Sequence, residues 1–551
     1  MEYFSKPFHI NILKNHILKD PIIDWFNIQD YINHKYIKDP ISHYKKFIIK
    51  ESSDYKKKII KKIKDSSKLI NIPENPDINQ TIQMLKEGSP LITSGKLILE
   101  NMIVHCDIII RKDYFNQIFP RIKNVPLDLL CNHDKEYILI NISYSSIHFK
   151  MDLKESINDG ILPYKKCCLY AFQLAISNII KYKPTCLILG KEYYYKKTLL
   201  TKKEFISHVI IDDKIKTKYQ QSRDWINNLQ KNYLLMDIDP KPTHKELYPN
   251  MNYKESQWEN EKYQLANKIK EITLVWSISY EERCSFLEKN ITCWDDPKLL
   301  THLKESKKKD IQERMIHMNQ QNDILIYPRK NISNGLKKLL IKNTSDIIFD
   351  VESFISFDKN NGLFEKGMEK EEPILAILGF INNNKYYNYT IQDFNKQDEE
   401  KIVKGFCNHL IKLSLKSELN EINIYHWGNA ECKYFEYIHK TYPDIKFPDY
   451  NLVDVLDHFR MEPIIVQGIF KFGLKSIGKA LHKNKLIKTT WENDNDNGLD
   501  AMIIFKNTCI KNNRKIPIKR YVNISNIIEY NRIDCQVLSE IINLLRNNYN
   551  Q

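Results

Sequence analysis

The segment Asp346-Ile-Ile-Phe-Asp-Val-Glu352 predicts a buried β-strand that carries two acidic side chains. Its β-branched and aromatic residues favour a strand. Side chains alternate along a strand, so Asp350 and Glu352 point to the same face, roughly 7 Å apart. Two buried like charges are costly without a cation, and hard oxygen ligands suit Mg²⁺ or Mn²⁺. A D-x-E pair is common by chance, so the prediction of a metal site depends on the rest of the chain.

A third acidic residue is predicted at the carboxyl end of another strand. Residues 422–425 predict a strand that runs into Gly428 and Asn429, and a helix then begins with Asn429 as its N-cap. Glu431 lies in the first helical turn, where open α/β sheets place their ligands. The alternative is a surface glutamate that interacts favourably with the helix dipole.

A fourth acidic residue is predicted on a late amphipathic helix. Apolar residues at 527, 530, 537, 538 and 541 form a stripe with helical spacing. Tyr530 and Asp534 are four residues apart and share a face of this helix. We therefore expect Asp534 on the core side, where an unpaired carboxylate is costly.

The order of these three pieces resembles the DEDD exonucleases of the RNase H-like fold, in their tyrosine variant and their YprB-like branch. Further phrases carry the resemblance from residue 346 to the C-terminus: Tyr425-His-Trp-Gly-Asn-Ala-Glu431, Val453-Asp-Val-Leu-Asp-His-Phe-Arg460, Gly473-Leu-Lys-Ser-Ile-Gly478 and Glu529-Tyr-Asn-Arg-Ile-Asp-Cys535. One departure is Glu431, because the second motif usually holds Asp. Asp454 is the alternative ligand, although the superfamily more often uses that position structurally.

The resemblance implies a 3′–5′ exonuclease or structure-specific nuclease with two Mg²⁺ or Mn²⁺ ions. The four acids would hold the ions, with the first bridging both: Asp350, Glu352, Glu431 and Asp534. Tyr530 would orient the attacking water. Three lysines on a glycine-punctuated segment could hold the nucleic-acid backbone, and simple solvation is the alternative for them: Lys471, Lys475 and Lys479.

The first half of the chain predicts another α/β domain. Short apolar strands are predicted at 91–110, 137–142 and 185–189, with a buried helix at 169–180. This pattern resembles the RecB-like PD-(D/E)XK nucleases, and most of the chain is similar to a bacterial RecB-like nuclease family. Phrases in the middle share that likeness: Glu246-Leu-Tyr-Pro-Asn-Met251, Glu271-Ile-Thr-Leu-Val-Trp276 and Trp294-Asp295.

The PD-(D/E)XK fold requires an Asp, then an acid-x-Lys on the next strand. Asp107 fits the first position, but Asn141 and Ser143 stand where the second acid and the lysine belong. Cys167 stands where a helix usually carries Gln. We therefore expect this domain to keep the fold, to have lost metal-dependent cleavage, and to bind nucleic acid.

Charge separates the two halves. The 551 residues carry a net charge of +15, but residues 346–551 hold 27 Lys and Arg against 28 Asp and Glu. The first 345 residues therefore carry a net +16. This favours a polyanionic partner, with DNA favoured over RNA, whereas lysine-rich faces that only aid solubility are the alternative.

The chain is too long for one core, so we predict an α/β multidomain protein. The predicted parts are an inactive PD-(D/E)XK-like domain at 1–210, a helical middle region at 211–305, a linker at 306–345 and an RNase H-like mixed sheet flanked by helices at 346–551. Eleven cysteines without a CxxC pair, and an N-terminus without a secretory h-region, predict an intracellular protein. No apolar run approaches the ~20 residues of a membrane helix.

The sequence is also compatible with two other functions. The protein could be a non-catalytic nucleic-acid-binding factor with both sites inactive, which recruits repair or replication proteins. Alternatively, the first domain could cut through displaced residues, since Glu136 and Lys150 lie near the expected positions. A P-loop motif is absent, which excludes a helicase–nuclease fusion in this chain.

Overall fold

A computed structural model describes residues 7–67, 72–125, 131–201, 204–254, 256–321, 326–327, 332–355, 373–416, 422–492, 498–512 and 516–549. These residues form two compact units. The first unit comprises 7–41 and 45–269, and the second comprises 42–44 and the described residues from 270 onward. The division therefore falls inside the segment predicted as a helical middle region, and not at residue 210.

The first unit contains nine strands and eight α-helices among its described residues. The strands are β1 (Phe8–His9), β2 (Leu91–Leu99), β3 (Met102–Arg111), β4 (Tyr137–Ile142), β5 (Ser146–His148), β6 (Thr185–Leu189), β7 (Glu192–Tyr195), β8 (Thr198–Leu200) and β9 (Ser207–His208). The helices are α1 (Lys14–Ile17), α2 (Ile22–Asn33), α3 (His43–Ser67), α4 (Ile78–Lys86), α5 (Lys112–Ile118), α6 (Leu162–Ile180), α7 (Asp213–Asn232) and α8 (Glu259–Lys268). Short 3-10 helices are Ile10–Leu13 and Lys245–Leu247.

A six-stranded sheet forms the centre of the first unit. Strands β2, β3 and β4 make an antiparallel meander, and β6 then pairs parallel to β4. Strand β1 pairs parallel to β3, and β9 lies antiparallel to β6. One face packs against α6 and α7, and the other packs against α3 and α5. Strand β4 is buried along its whole length, which explains its unbroken apolar sequence.

Helix α6 begins seven residues before the predicted start. Pro163 occupies the first turn, where proline's fixed φ favours helix initiation and its missing N–H is not needed. A smaller sheet with the order β5-β7-β8 lies beside these elements in the same unit.

The second unit contains seven strands and ten α-helices among its described residues. The strands are β10 (Ile326–Tyr327), β11 (Ile347–Ile355), β12 (Pro373–Asn382), β13 (Lys385–Thr390), β14 (Ile422–His426), β15 (Tyr450–Asp454) and β16 (Ile465–Val466). The helices are α9 (Tyr280–Glu288), α10 (Pro297–His302), α11 (Lys309–Gln320), α12 (Asn334–Leu340), α13 (Lys396–Ser414), α14 (Ala430–Thr441), α15 (Val455–Met461), α16 (Leu474–Lys483), α17 (Gly498–Asn512) and α18 (Val522–Tyr549). Short 3-10 helices are Ile272–Leu274 and Ile518–Arg520.

The central sheet of the second unit has the order β13-β12-β11-β14-β15. Strands β11, β12 and β13 are antiparallel neighbours, whereas β14 and β15 run parallel to β11. Alternate residues of β11 enter two different cores, with Ile348 on the face covered by α18 and Phe349 on the face covered by α13. The predicted α/β fold class, with a mixed sheet flanked by helices, is confirmed.

Where the polarity of residues 306–345 predicts a linker, the described residues include two helices. Helices α11 and α12 lie within this segment, and their apolar side chains enter the same core as α18. Met315 and Leu339 are each 1% exposed. Both helices are short and amphipathic, so a scan of composition alone does not reveal their helical period.

Within the described residues, no helix is long and apolar enough to span a bilayer.

Candidate metal centre

Three carboxylates meet on the α18 side of the central sheet. Asp350 and Glu352 come from β11 and Asp534 comes from α18, and one oxygen of each lies within 4.8 Å of the other two. Glu352 is buried and the other two are half-buried. Carboxylate oxygens at such separations form the donor set that Mg²⁺ or Mn²⁺ prefers. The structure therefore brings together three of the four acids that the sequence predicts as metal ligands.

The β11 strand changes register immediately after Glu352. Its pairing with β12 shifts between Glu352 and Ser353, and Phe354 packs in the same cluster as Phe349. Bulges of this kind re-aim side chains next to functional sites. Here the two acids precede the irregularity, so both remain on the face that α18 covers.

The cluster holds more negative charge than its surroundings favour. Burial raises the pKa of Asp350 well above its ordinary value, and the charges of Asp534, Glu352 and Glu431 raise it further. Burial and the charges of Asp534 and Glu431 likewise raise the pKa of Glu352. Because a bound divalent cation would reverse this repulsion, the donor set fits a metal ion.

Glu431 lies beside the cluster, in the first turn of α14. Its side chain is buried, and within the described residues Oε2 has no hydrogen-bond partner. The Nδ1 atom of His426 lies 3.6 Å from that oxygen. Asn429 occupies the predicted N-cap position, but its side chain makes no capping hydrogen bond. A buried carboxylate oxygen in this state is costly, which supports Glu431 as a fourth ligand.

Asp454, the alternative to Glu431, has one carboxylate oxygen engaged by the backbone. Its Oδ1 accepts hydrogen bonds from the backbone N–H groups of Leu456 at 3.0 Å and Gly428 at 2.8 Å. The first contact caps helix α15. The second fixes the turn between β14 and α14, which positions Glu431.

Asn531 is a site residue that the sequence analysis misses. It is fully buried on α18, and its Nδ2 donates a hydrogen bond to Asp350 Oδ2 at 2.7 Å. Its Oδ1 accepts a hydrogen bond from the Tyr386 hydroxyl at 2.7 Å. Tyr386 thus fixes the amide and the amide fixes one oxygen of Asp350. The signal was available, because Asn531 precedes Asp534 by three residues and is polar on an apolar face.

Gly379 makes room for this amide. It pairs with Asp350 across the β11–β12 ladder. A Cβ atom at Gly379 would lie 1.6 Å from Asn531 Oδ1 and 2.8 Å from the Tyr386 hydroxyl. Any side chain at this position would therefore displace the group that holds Asp350.

Two donors and one cation surround Asp534. Trp491 Nε1 donates a hydrogen bond to its Oδ1 at 2.8 Å, and the Tyr530 hydroxyl also hydrogen-bonds to it. The Lys475 ammonium lies 5.3 Å from the Tyr530 ring centroid and 5.9 Å from the Trp491 ring centroid. Burial nevertheless dominates, and the pKa of Asp534 is raised to about 7.

The three predicted backbone-binding lysines lie on or next to one helix. Lys475 and Lys479 are one turn apart on α16, and Lys471 precedes that helix. All three are half-buried. Lys475 is the one whose charge acts directly on Asp534.

Asp107 in the first unit has a different environment. It is 1% exposed, and its Oδ2 accepts a hydrogen bond from the Ile142 backbone N–H at 2.7 Å. Its Oδ1 forms an ion pair with the ammonium group of Lys56. Burial alone would raise the pKa of Asp107, but Lys165 and Lys56 hold it below its ordinary value. The protein's own lysines therefore balance this carboxylate.

Asn141 and Ser143 lie beside Asp107, where the sequence places them. Asn141 Oδ1 accepts a hydrogen bond from the Asp107 backbone N–H at 3.3 Å. Both side chains are 1% exposed, and Ser143 Oγ has no hydrogen-bond partner within the described part of the chain. Neither residue adds a negative charge, so one carboxylate faces two lysines at this position.

The displaced residues do not gather around Asp107. Glu136 precedes β4 at its far end, about 17 Å along the strand from the position opposite Asp107. Lys150 forms an ion pair with Glu155 at 2.8 Å. Cys167 donates to the Ile215 backbone carbonyl of α7. This geometry gives the displaced-residue alternative no support.

Comparison with known proteins bears on the C-terminal region. Residues 364–546 match the family model described as the RNase_H superfamily. The match includes Glu431, Tyr530 and Asp534, and it begins after Asp350 and Glu352. No curated protein and no solved structure matches the chain. The RNase H-like prediction is confirmed for this region and points to a nuclease-type function, whereas the RecB-like and YprB-like resemblances stay predictions.

Proposed function

We propose that the second unit is a divalent-metal-dependent nuclease that removes nucleotides from the 3′ end of nucleic acid, with DNA favoured as the substrate. The observation that carries the proposal is the cluster of Asp350, Glu352 and Asp534. These acids lie within 4.8 Å of one another, with pKa values raised by burial and mutual repulsion. Such an arrangement is unfavourable as a purely structural feature and favourable as a cation site.

The residues of the site would have separate roles in binding and positioning the metal ion. The three clustered acids would hold Mg²⁺ or Mn²⁺, with Glu431 as the fourth ligand. A bound ion would polarise the scissile phosphate and lower the pKa of a bound water. Asn531 and Trp491 would hold two of the carboxylates in the orientation that the ion needs.

Tyr530 and Lys475 are placed to act on the substrate. Tyr530 is hydrogen-bonded to Asp534, so its hydroxyl would orient a water beside the ligands. The Lys475 ammonium lies over the Tyr530 ring and would contact a phosphate oxygen. Lys471 and Lys479 would extend this contact along the backbone.

The first unit would bind nucleic acid without cutting it. We propose that it has a PD-(D/E)XK-like fold, because its meander β2-β3-β4 is followed by a helix and a strand parallel to β4. The negative charge of Asp107 is already paired with the Lys56 ammonium group, so it would contribute little to binding a metal ion. The net positive charge of the first 345 residues favours a binding role.

The test is cleavage of labelled oligonucleotides by the full chain. We expect 3′-to-5′ shortening with Mg²⁺ or Mn²⁺ and none with EDTA, assayed on single- and double-stranded DNA and RNA labelled at either end. Asp350→Ala and Asp534→Ala should each abolish shortening. Asp457→Asn is the matched control, since it removes an exposed acid from the same unit and should cut normally.

Asp107→Asn tests whether the first unit takes part in cleavage. The asparagine side-chain oxygen can still accept the hydrogen bond from the Ile142 backbone N–H, but the negative charge is lost. The variant should leave the rate of cleavage at saturating substrate unchanged. Cleavage that persists in both Asp350→Ala and Asp534→Ala would refute the assignment. A pure, folded wild-type chain that binds nucleic acid but never cuts it would instead favour the non-catalytic alternative.

A further inference from the structure

Helix α3 carries a stripe of exposed lysines. Its 25 residues include nine lysines and three acids. Four of the exposed lysines lie within about 60° of arc at 3.6 residues per turn, and we call them the lysine stripe: Lys46, Lys50, Lys57 and Lys61. At a rise of 1.5 Å per residue the stripe is about 22 Å long. Asp54 and Lys58 both flank it on one side and their charges cancel, so the face keeps a positive excess.

The helix that carries the stripe is anchored on its other side. Ile59 is 2% exposed and Ile63 is fully buried, and both pack against the central sheet of the first unit. The Tyr55 hydroxyl donates a hydrogen bond to the Gly190 carbonyl at 2.8 Å. Lys56 reaches inward to pair with Asp107. The part of the helix that carries Lys57 and Lys61 is therefore held in place, which lowers the entropy lost when a ligand binds.

We propose that the lysine stripe is the surface through which the first unit binds the sugar-phosphate backbone of nucleic acid. The identity of the polyanion rests on the proposed nuclease function. A strand of B-form DNA places one phosphate per 3.4 Å of axis, so about 22 Å spans roughly six phosphates. Four lysines can therefore each meet a separate phosphate.

A nucleic acid fits this face better than an anionic membrane does. A helix that binds a membrane surface inserts its apolar face into the lipid. In α3 that face is used against the sheet, and Ile49, at 56%, is its only exposed aliphatic residue. The outward face of α3 is therefore charged and lacks the row of apolar side chains that insertion into lipid requires.

The test compares two variants of the full chain that lose the same charge. The first changes the lysine stripe to glutamine at all four positions. The second changes four exposed lysines scattered over the same unit: Lys86, Lys135, Lys183 and Lys231. Binding to a fluorescent single-stranded DNA is measured by anisotropy in EDTA across a series of salt concentrations, so that cleavage does not enter.

Each phosphate neutralised on a single strand contributes about 0.7 to the slope of log K against log salt. Loss of four contacts should reduce that slope by about 2.8 and weaken binding by up to about 200-fold at 0.15 M salt. If only two lysines make contact, the loss is about 14-fold. The scattered variant should lose less than threefold, and circular dichroism should show both variants folded.

The outcomes separate this inference from the nuclease proposal. Equal affinities for the stripe and scattered variants would overturn the inference even if the wild-type chain cuts DNA. Stripe-dependent binding without cleavage would support the inference and refute the nuclease. A chain that binds phosphatidylserine vesicles through the stripe, and does not bind DNA or RNA, would overturn both.

Discussion

Replacing Asp534 with asparagine should make the metal-free protein more stable, although it removes a proposed metal ligand. The pKa of Asp534 is raised from 3.8 to about 7 in the folded chain. The folded state therefore binds a proton more tightly than the unfolded state does. Stability then falls as pH rises from about 4 to 7, and the full penalty applies above pH 7.

The size of the penalty follows from the shift. A difference of about three pKa units corresponds to about 4 kcal/mol at pH 8. Relaxation and the partial exposure of Asp534 reduce this, so we expect Asp534→Asn to gain about 2 kcal/mol. Asparagine Oδ1 can still accept the hydrogen bond from Trp491 Nε1. In a domain of about 200 residues, 2 kcal/mol raises Tm by about 4 to 8 °C.

The assay is calorimetry of the full chain at pH 5 and pH 8, with EDTA or with Mg²⁺. The gain should be largest at pH 8 in EDTA and fall to about 40% of that value at pH 5. At pH 5 Asp534 is protonated in the folded chain, but the unfolded chain still loses most of that proton. Mg²⁺ at one hundred times its Kd should stabilise the wild type by about 2.7 kcal/mol. The variant should lose most of that stabilisation.

Asp454→Asn is the matched control for this experiment. It removes a carboxylate from the same unit, but asparagine can keep both hydrogen bonds that Asp454 accepts, including the cap of α15. It should show no gain at pH 8. The reasoning is refuted if Asp534→Asn is no more stable than the wild type at pH 8 in EDTA, or if its gain is equal at both pH values.

Three other substitutions test the groups that hold the ligands. Asn531→Ala removes the hydrogen bond to Asp350, and isothermal titration should show Mn²⁺ affinity reduced by about 10- to 100-fold; unchanged affinity would count against a positioning role. Gly379→Ala should cause a similar loss and destabilise the unit by about 1 to 3 kcal/mol in chemical unfolding, because its Cβ would overlap Asn531. Trp491→Phe removes a donor that favours ionised Asp534, so the acidic limb of the pH–rate profile should move to higher pH.

Much of the centre could be predicted from the sequence because its signals are local. Alternation along β11 places Asp350 and Glu352 on one face, and the four-residue spacing places Tyr530 and Asp534 together on α18. Each inference needs only the period of one element. The structure differs mainly in extent, since β11 continues to Ile355 and α18 begins at Val522.

The supporting residues could not be predicted in this way because they depend on contacts between distant segments. Trp491 reaches Asp534 from a segment 43 positions earlier in the chain. Lys56 forms an ion pair with Asp107, but the sequence of α3 does not distinguish Lys56 from the other lysines of that helix. The requirement for glycine at position 379 follows from the register of β11 against β12, which places Gly379 opposite Asp350. Such pairings follow from tertiary packing, which no period or motif encodes.

The two units show how the same kind of residue can have opposite uses. Asp107 and Asp350 both lie on central strands with their charges enclosed by protein. Burial acts to raise the pKa of both groups, but Lys165 and Lys56 hold the pKa of Asp107 below its ordinary value, whereas three neighbouring carboxylates raise the pKa of Asp350 further. A buried acid that already has a protein cation gains little from a metal ion, and a buried acid surrounded by other acids gains a great deal. The balance of local charge, more than the presence of an aspartate, therefore favours the second unit as the place where a divalent cation binds.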